Sequence, residues 1–126
     1  MLQLIKPNFE DLSFRKELLA DEATMSYNAN WGGTIDFSFD QWKSWYEYWI
    51  EQPEKRYYRY LYSETERTFI GEVAYYFHHE LNEYICDIII KDHFRGRGFG
   101  RQGLLLLLQE IKKQGITRIC DNRLVR

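Results

Sequence analysis

The chain has 126 residues, enough for one domain with its own apolar core and too few for two. Seventeen Lys and Arg against nineteen Asp and Glu leave a formal charge of -2, so nothing global draws it to nucleic acid or an anionic membrane, and an anionic ligand must be held locally. Aromatic residues reach 17%, and two prolines with no low-complexity tract argue against disorder.

Leu2 to Lys6 reads as a short strand ended by Pro7, without the basic segment and long apolar stretch of a signal peptide. Phe9 to Ala20 carries Phe14, Leu18 and Leu19 at helical spacing. Asn28 to Gly33 is a loop by composition. Asp40 is the expected N-cap of a helix whose Trp42, Trp45, Tyr46 and Trp49 form one aromatic stripe, a core-packing face, with Pro53 marking its end. Arg56 to Ser63 and Thr68 to His78, separated by the polar turn Glu64 to Arg67, predict a hairpin. Tyr84 to Ile90 predicts a third strand, and its Ile88-Ile89-Ile90 run implies burial on both faces. A glycine-rich loop follows, then a leucine-rich helix from about Gly100 to Gln114, Gly115 as its C-cap, and a last strand, Ile116 to Cys120. The order β α α β β β α β describes an α+β domain on a mixed central sheet flanked by helices. Its longest aliphatic run, Leu104 to Leu108, is far too short to span a membrane, and the expectation is a soluble cytoplasmic protein. Cys86 and Cys120 read as free core thiols, and His78-His79-Glu80 as a wet turn, because adjacent strand residues point to opposite faces; no metal site is expected.

Arg95-Gly96-Arg97-Gly98-Phe99-Gly100 lies between the apolar strand and the leucine-rich helix. Glycines there let the main chain approach a ligand, amides at a helix N-terminus carry partial positive charge, and Arg95, Arg97 and Arg101 add full charges, so the junction suits a pyrophosphate. A Rossmann loop would follow the first strand, and a Walker A loop would continue Gly-Lys-Ser/Thr; neither fits.

At these residues the chain resembles the GNAT superfamily of acetyl-coenzyme A dependent N-acetyltransferases, whose signature, Gln or Arg, two residues, Gly, one residue, Gly or Ala, is matched by Arg95, Gly98 and Gly100. The preceding strand, the following helix and the upstream element order extend the likeness. The resemblance implies acetyl-CoA as cosubstrate, with the amides of Arg95, Gly96, Arg97, Gly98, Phe99 and Gly100 on the pyrophosphate, Arg101 beside them, and the main chain of Ile88, Ile89 and Ile90 pairing with the pantetheine arm. It also implies a bulge near Cys86 or Asp87 that opens the cofactor cleft. Direct attack by the acceptor amine needs a general base, for which Asp87 leads because it interrupts an apolar run; Glu72 is the second catalytic candidate. Asp87 remains open as base, as binder of a cationic acceptor or as a solvent-facing strand residue. Trp31 and Glu83 are candidates for acceptor binding.

Family members usually continue beyond the last strand with a further helix and two strands, and with the tyrosine that protonates the departing thiolate. Asp121-Asn122 resembles the start of that segment, whereas Arg123 to Arg126 does not continue it. The expectation is a C-terminally shortened GNAT-like domain spanning 1–126, lacking that helix and those strands, with an open sheet edge that favours a homodimer. It would transfer acetyl from acetyl-CoA to a primary amine of a small cationic acceptor, with no nucleic-acid or membrane partner. The alternative is a catalytically impaired acetyl-CoA-binding module acting as a dimer.

Overall fold

Strands form here where rings and β-branched residues run between polar turns. The computed structural model describes residues 1–121; the expectations placed on residues 122–126 lie outside them. Five strands, β1 (Leu2–Ile5), β2 (Arg56–Ser63), β3 (Thr68–His78), β4 (Glu83–Ile90) and β5 (Ile119–Asp121), form one sheet in the order β1-β2-β3-β4-β5. The first four pair antiparallel and β5 joins β4 in parallel. Helices α1 (Leu12–Ala20), α2 (Phe39–Tyr46) and α3 (Phe99–Lys113) complete the α+β order read from the sequence. A 3-10 segment, Thr24–Trp31, links α1 to α2, and a π-helical turn, Glu47–Glu51, extends α2. The expected hairpin ends coincide with β2 and β3, whereas the last strand starts three residues later than expected.

The two sheet faces carry separate cores. On one, Leu61, Val73, Cys86 and Ile90 pack with Leu107 and Ile111 of α3. On the other, Ile89 joins Leu12, Leu18 and Trp42 from α1 and α2, and Tyr58, Tyr60 and Ala74 pack with Ile50. Alternation along β4 therefore sends Ile89 to one face and Ile88 and Ile90 to the other, which is why the whole run is apolar.

Further details differ from expectation: Asn28 to Trp31, read as loop, belongs to the 3-10 segment, and Gln114, ahead of the left-handed Gly115, is the C-cap of α3. Ser38, with extended backbone (φ -71°, ψ 156°), is the N-cap of α2, and Asp40 sits in its first turn, bonded to the Ser38 hydroxyl. The β3–β4 register runs unbroken from Gly71↔Ile90 to His78↔Glu83, so no bulge lies at Cys86 or Asp87 in that ladder. The irregularity falls instead between β2 and β3, at Leu61/Tyr62. It sits beside Gly71, where a Cβ would stand 2.2 Å from the Ile89 carbonyl oxygen. Only glycine permits that approach.

Candidate active site

Parallel pairing between β4 and β5 reaches Cys86↔Asp121 among the described residues, and the second half of β4 borders a cleft of about 350 Å³. The cleft is lined by Asp87, Ile88 and Ile90 of β4, by Arg95, Gly96 and Gly100, and by Tyr27 of the 3-10 segment. Asp87 and Ile88, neighbours on β4 with side chains on opposite faces of the sheet, both line it.

The glycine loop reaches the cleft through two left-handed residues, Gly96 (φ 79°) and Gly98 (φ 83°), which a side chain would strain. Gly98 is the N-cap of the 15-residue α3, and among the described residues no side chain caps that end. The first ring closes only at Gln102, whose amide donates to the Gly98 carbonyl at 3.1 Å. The amides of Phe99, Gly100 and Arg101 are thus left for an external acceptor. Gly100 leaves room for it, since a Cβ there would meet only Ile90 Cγ1, at 3.9 Å. The donor set suits an anionic diphosphate beside an apolar strand.

Side chains of the loop are used differently from the amides. The Arg95 guanidinium donates to the carbonyls of Ile90 (3.1 Å), Ala23 (3.3 Å) and Thr24 (2.7 Å), with Asp92 at 3.5 Å. It holds the loop to the Thr24–Trp31 segment. Arg97 pairs with Glu66 at 3.2 Å and lies over Phe94, while Arg101 is exposed. The Phe99 ring is buried in the core, leaving its amide to the site. Ile89 points to the α1/α2 core and offers the cleft only main chain.

Among the remaining sequence candidates, Glu72 is 6% exposed on the same sheet face as Asp87. Its carboxylate accepts from Arg15 Nη1 at 2.6 Å and from the Tyr58 hydroxyl. The Arg15 guanidinium is enclosed by Trp45, Phe37 and Tyr58 at 4.6, 5.0 and 5.5 Å from the ring centroids. Burial, followed by the Glu72 charge, pushes the Tyr58 phenol well up, so it stays a donor to that carboxylate. For Arg15, burial, the largest cause, works against the charge, but Glu72 and Tyr58 together outweigh it and the pKa ends above the usual arginine value. Trp42 is buried and Trp45 packs on this pair, so the aromatic stripe of α2 serves the core. Trp31, at the end of the 3-10 segment, is 62% exposed and does not line the cleft. Glu83 lies at the far end of β4, where it bonds Arg118 and accepts from the Cys120 thiol at 2.7 Å. That bond, the largest cause, raises the Cys120 pKa.

Tyr27 escaped the sequence reading. Its position three residues past Thr24, whose carbonyl holds Arg95, is a tertiary fact with no local signature. Among the described residues no helix is long and apolar enough to cross a membrane, and no cluster of three or more His, Cys, Asp or Glu could hold a metal ion.

A family model described as Acetyltransferase (GNAT) family matches residues 16–124. A search of curated proteins finds no significant match. Among solved structures, the chain is similar to a spermidine N-acetyltransferase from Vibrio cholerae, solved in complex with CoA and spermine (22% identity, TM-score 0.75, covering 94% of this chain and 68% of that one). It is also similar to an acetyltransferase from Thermus thermophilus (19%, TM-score 0.70, 94% and 73%) and to glucosamine-6-phosphate N-acetyltransferase from Arabidopsis thaliana (13%, TM-score 0.63, 97% and 82%). At these identities the likeness is one of fold.

Proposed function

Because the chain belongs to the GNAT acetyltransferase family, we propose that it transfers the acetyl group of acetyl-CoA to a primary amine of a small cationic acceptor by direct attack, in the cleft beside β4. The observation that carries this reading is the convergence of the Asp87 carboxylate, the apolar residues Ile88 and Ile90 of β4 and the N-terminal amides of α3 on a single cavity.

When bound, acetyl-CoA supplies the activated acetyl group. The amides of Phe99, Gly100 and Arg101, at the positive end of α3, hold the pyrophosphate, with exposed Arg101 beside them. The main chain of Ile88 to Ile90 aligns the extended pantetheine arm as an added strand. Asp87 receives the proton lost by the acceptor's ammonium group, and its carboxylate attracts that cation into position. The Tyr27 ring offers the cation a second contact. Asp87 lines the cleft, so we assign the base to it, and Glu72, bound to Arg15 and Tyr58, holds α1 on the sheet. The spermidine N-acetyltransferase among the similar folds favours a polyamine-like acceptor.

Calorimetric titration with acetyl-CoA, then release of free CoA thiol with spermidine and alkyl diamines, tests the reading. Binding and turnover are expected. Gly100→Leu, which fills the cleft at a residue of ordinary backbone conformation, should weaken acetyl-CoA at least tenfold. Unchanged affinity would refute the loop site, and binding without turnover of any amine would leave a CoA-binding module.

A further inference from the structure

At the end of the sheet opposite the glycine loop, roughly 23 Å away along β4 at ordinary strand rise, lies a second cavity of about 390 Å³. Lys55, Arg56 and Arg59 line it, in a chain whose overall charge is negative. Among the described residues none of these three cations has a carboxylate partner within ion-pair distance. Their partners are neutral. Arg56 donates to the carbonyls of Tyr48 (3.0 Å) and Gln52 (2.7 Å) and lies 3.5 Å over the Tyr48 ring. Arg59 donates to the Tyr58 carbonyl at 2.7 Å and lies 4.4 Å over Tyr57, and Lys55 is 4.9 Å from the Phe77 ring. Carbonyls and rings orient a cation without cancelling its charge; the Arg56 guanidinium is held on the Tyr48 side of the sheet, so the charges left to an anion in the groove are those of Lys55 and Arg59.

The cavity wall also presents flat phenols. Tyr57 stacks on Tyr75 (5.2 Å between centroids, 11° between planes), and Tyr84 meets Tyr75 edge-on at 5.9 Å. Burial, the largest cause, pushes the Tyr57 phenol up to about 12, so it is a hydrogen-bond donor at neutral pH. The carboxylate in the lining, Glu110, accepts from the Gln114 amide at 2.8 Å. The backbone is unusual here too: Lys55 has φ 56°, a left-handed conformation for a side-chain-bearing residue, just after the π-helical turn Glu47–Glu51. Strained non-glycine residues and π turns persist where tertiary structure enforces them, often at binding sites.

We infer that this groove is a second ligand site, separate from the cleft beside β4, for a small organic phosphate bearing a planar ring, of the nucleoside monophosphate class. Two cations without carboxylate partners, Lys55 and Arg59, suit a dianion, and the phenol stack suits a flat ring. The volume matches one small molecule.

Calorimetric titration with AMP, in a Gly100→Leu background that closes the other cleft, is the test, with adenosine and ribose 5-phosphate as separate arms. AMP should bind, with ribose 5-phosphate and adenosine each at least tenfold weaker. Arg59→Gln should weaken AMP at least tenfold and Arg59→Lys should restore most of it, while Glu110→Gln, which removes the lining carboxylate, should tighten AMP severalfold. AMP that fails to bind, that binds no better than adenosine, or that ignores both Arg59→Gln and Glu110→Gln overturns the site. None of these readouts depends on acetyl-CoA binding, so failure here and failure of acetyl transfer are separate results.

Discussion

Glu72 and Asp87 stand in neighbouring rows on one face of the sheet, Glu72 opposite Ile89 and Asp87 opposite Ala74, yet their surroundings divide their roles. Glu72 is enclosed with a guanidinium and a phenol, whereas Asp87 lines a cleft. Removing the charge of Asp87 while keeping its shape should therefore act on chemistry. Asp87→Asn should lower turnover about a hundredfold or more, as loss of a general base does, with acetyl-CoA affinity held within about threefold. Equal loss in both would make Asp87 a binding residue. The sequence marked both carboxylates as candidates because residue type and strand position are local properties. It could not separate them, since the partner that engages Glu72 is Arg15, 57 residues away. The loop arginines teach the same lesson: glycine positions and helix start are legible in the string, but the Ala23 and Thr24 carbonyls that take Arg95 are not.

Elements were more legible than their irregularities. The ends of β2 and β3 follow from the polar turn between them, and α3 from its glycine start and Gly115 exit. A glycine inside a strand is a bulge signal, and Gly71 carried it, while the resemblance drew attention to Cys86 and Asp87. The two glycines most tightly pressed against other elements, Gly71 and Gly103, should also respond unequally to a methyl group. At Gly71 the new Cβ meets backbone, the Ile89 oxygen at 2.2 Å and Ile90 Cα at 3.1 Å, so the β3–β4 ladder itself must yield. At Gly103 it meets Leu61 Cδ1 at 2.7 Å, a side-chain end that can rotate, and alanine favours the helix by about 1 kcal/mol. Gly71→Ala should cost about 3 kcal/mol in urea unfolding and Gly103→Ala clearly less. Similar losses would mean the strand contact relaxes freely.

Across the whole molecule the high ring content serves mainly to join α1 and α2 to the sheet, through Phe14, Trp45, Tyr58 and Tyr60. Three phenols, Tyr57, Tyr58 and Tyr60, set its behaviour in alkali. Burial chiefly raises Tyr57 to about 12, and it also raises Tyr60 and, well above the ordinary value, Tyr58. The folded state thus holds these protons more tightly than the unfolded chain, whose tyrosines titrate near 10. Their contribution is complete below about pH 10 and falls as pH rises from there toward 12 and beyond. Phenolate absorbance should accordingly rise in two stages, the later one coinciding with loss of circular dichroism. A single early stage would show the buried phenols to be open to solvent.

The bonds of Arg95 reach past the loop that contains it. One guanidinium joins the end of β4 to the Thr24–Trp31 segment, and the Asp92 amide adds a bond to the Thr24 hydroxyl at 2.9 Å. Floor and roof of the cleft are therefore tied to each other before any ligand arrives. An incoming molecule meets walls whose ordering entropy was spent during folding, so its affinity is not reduced by closing them.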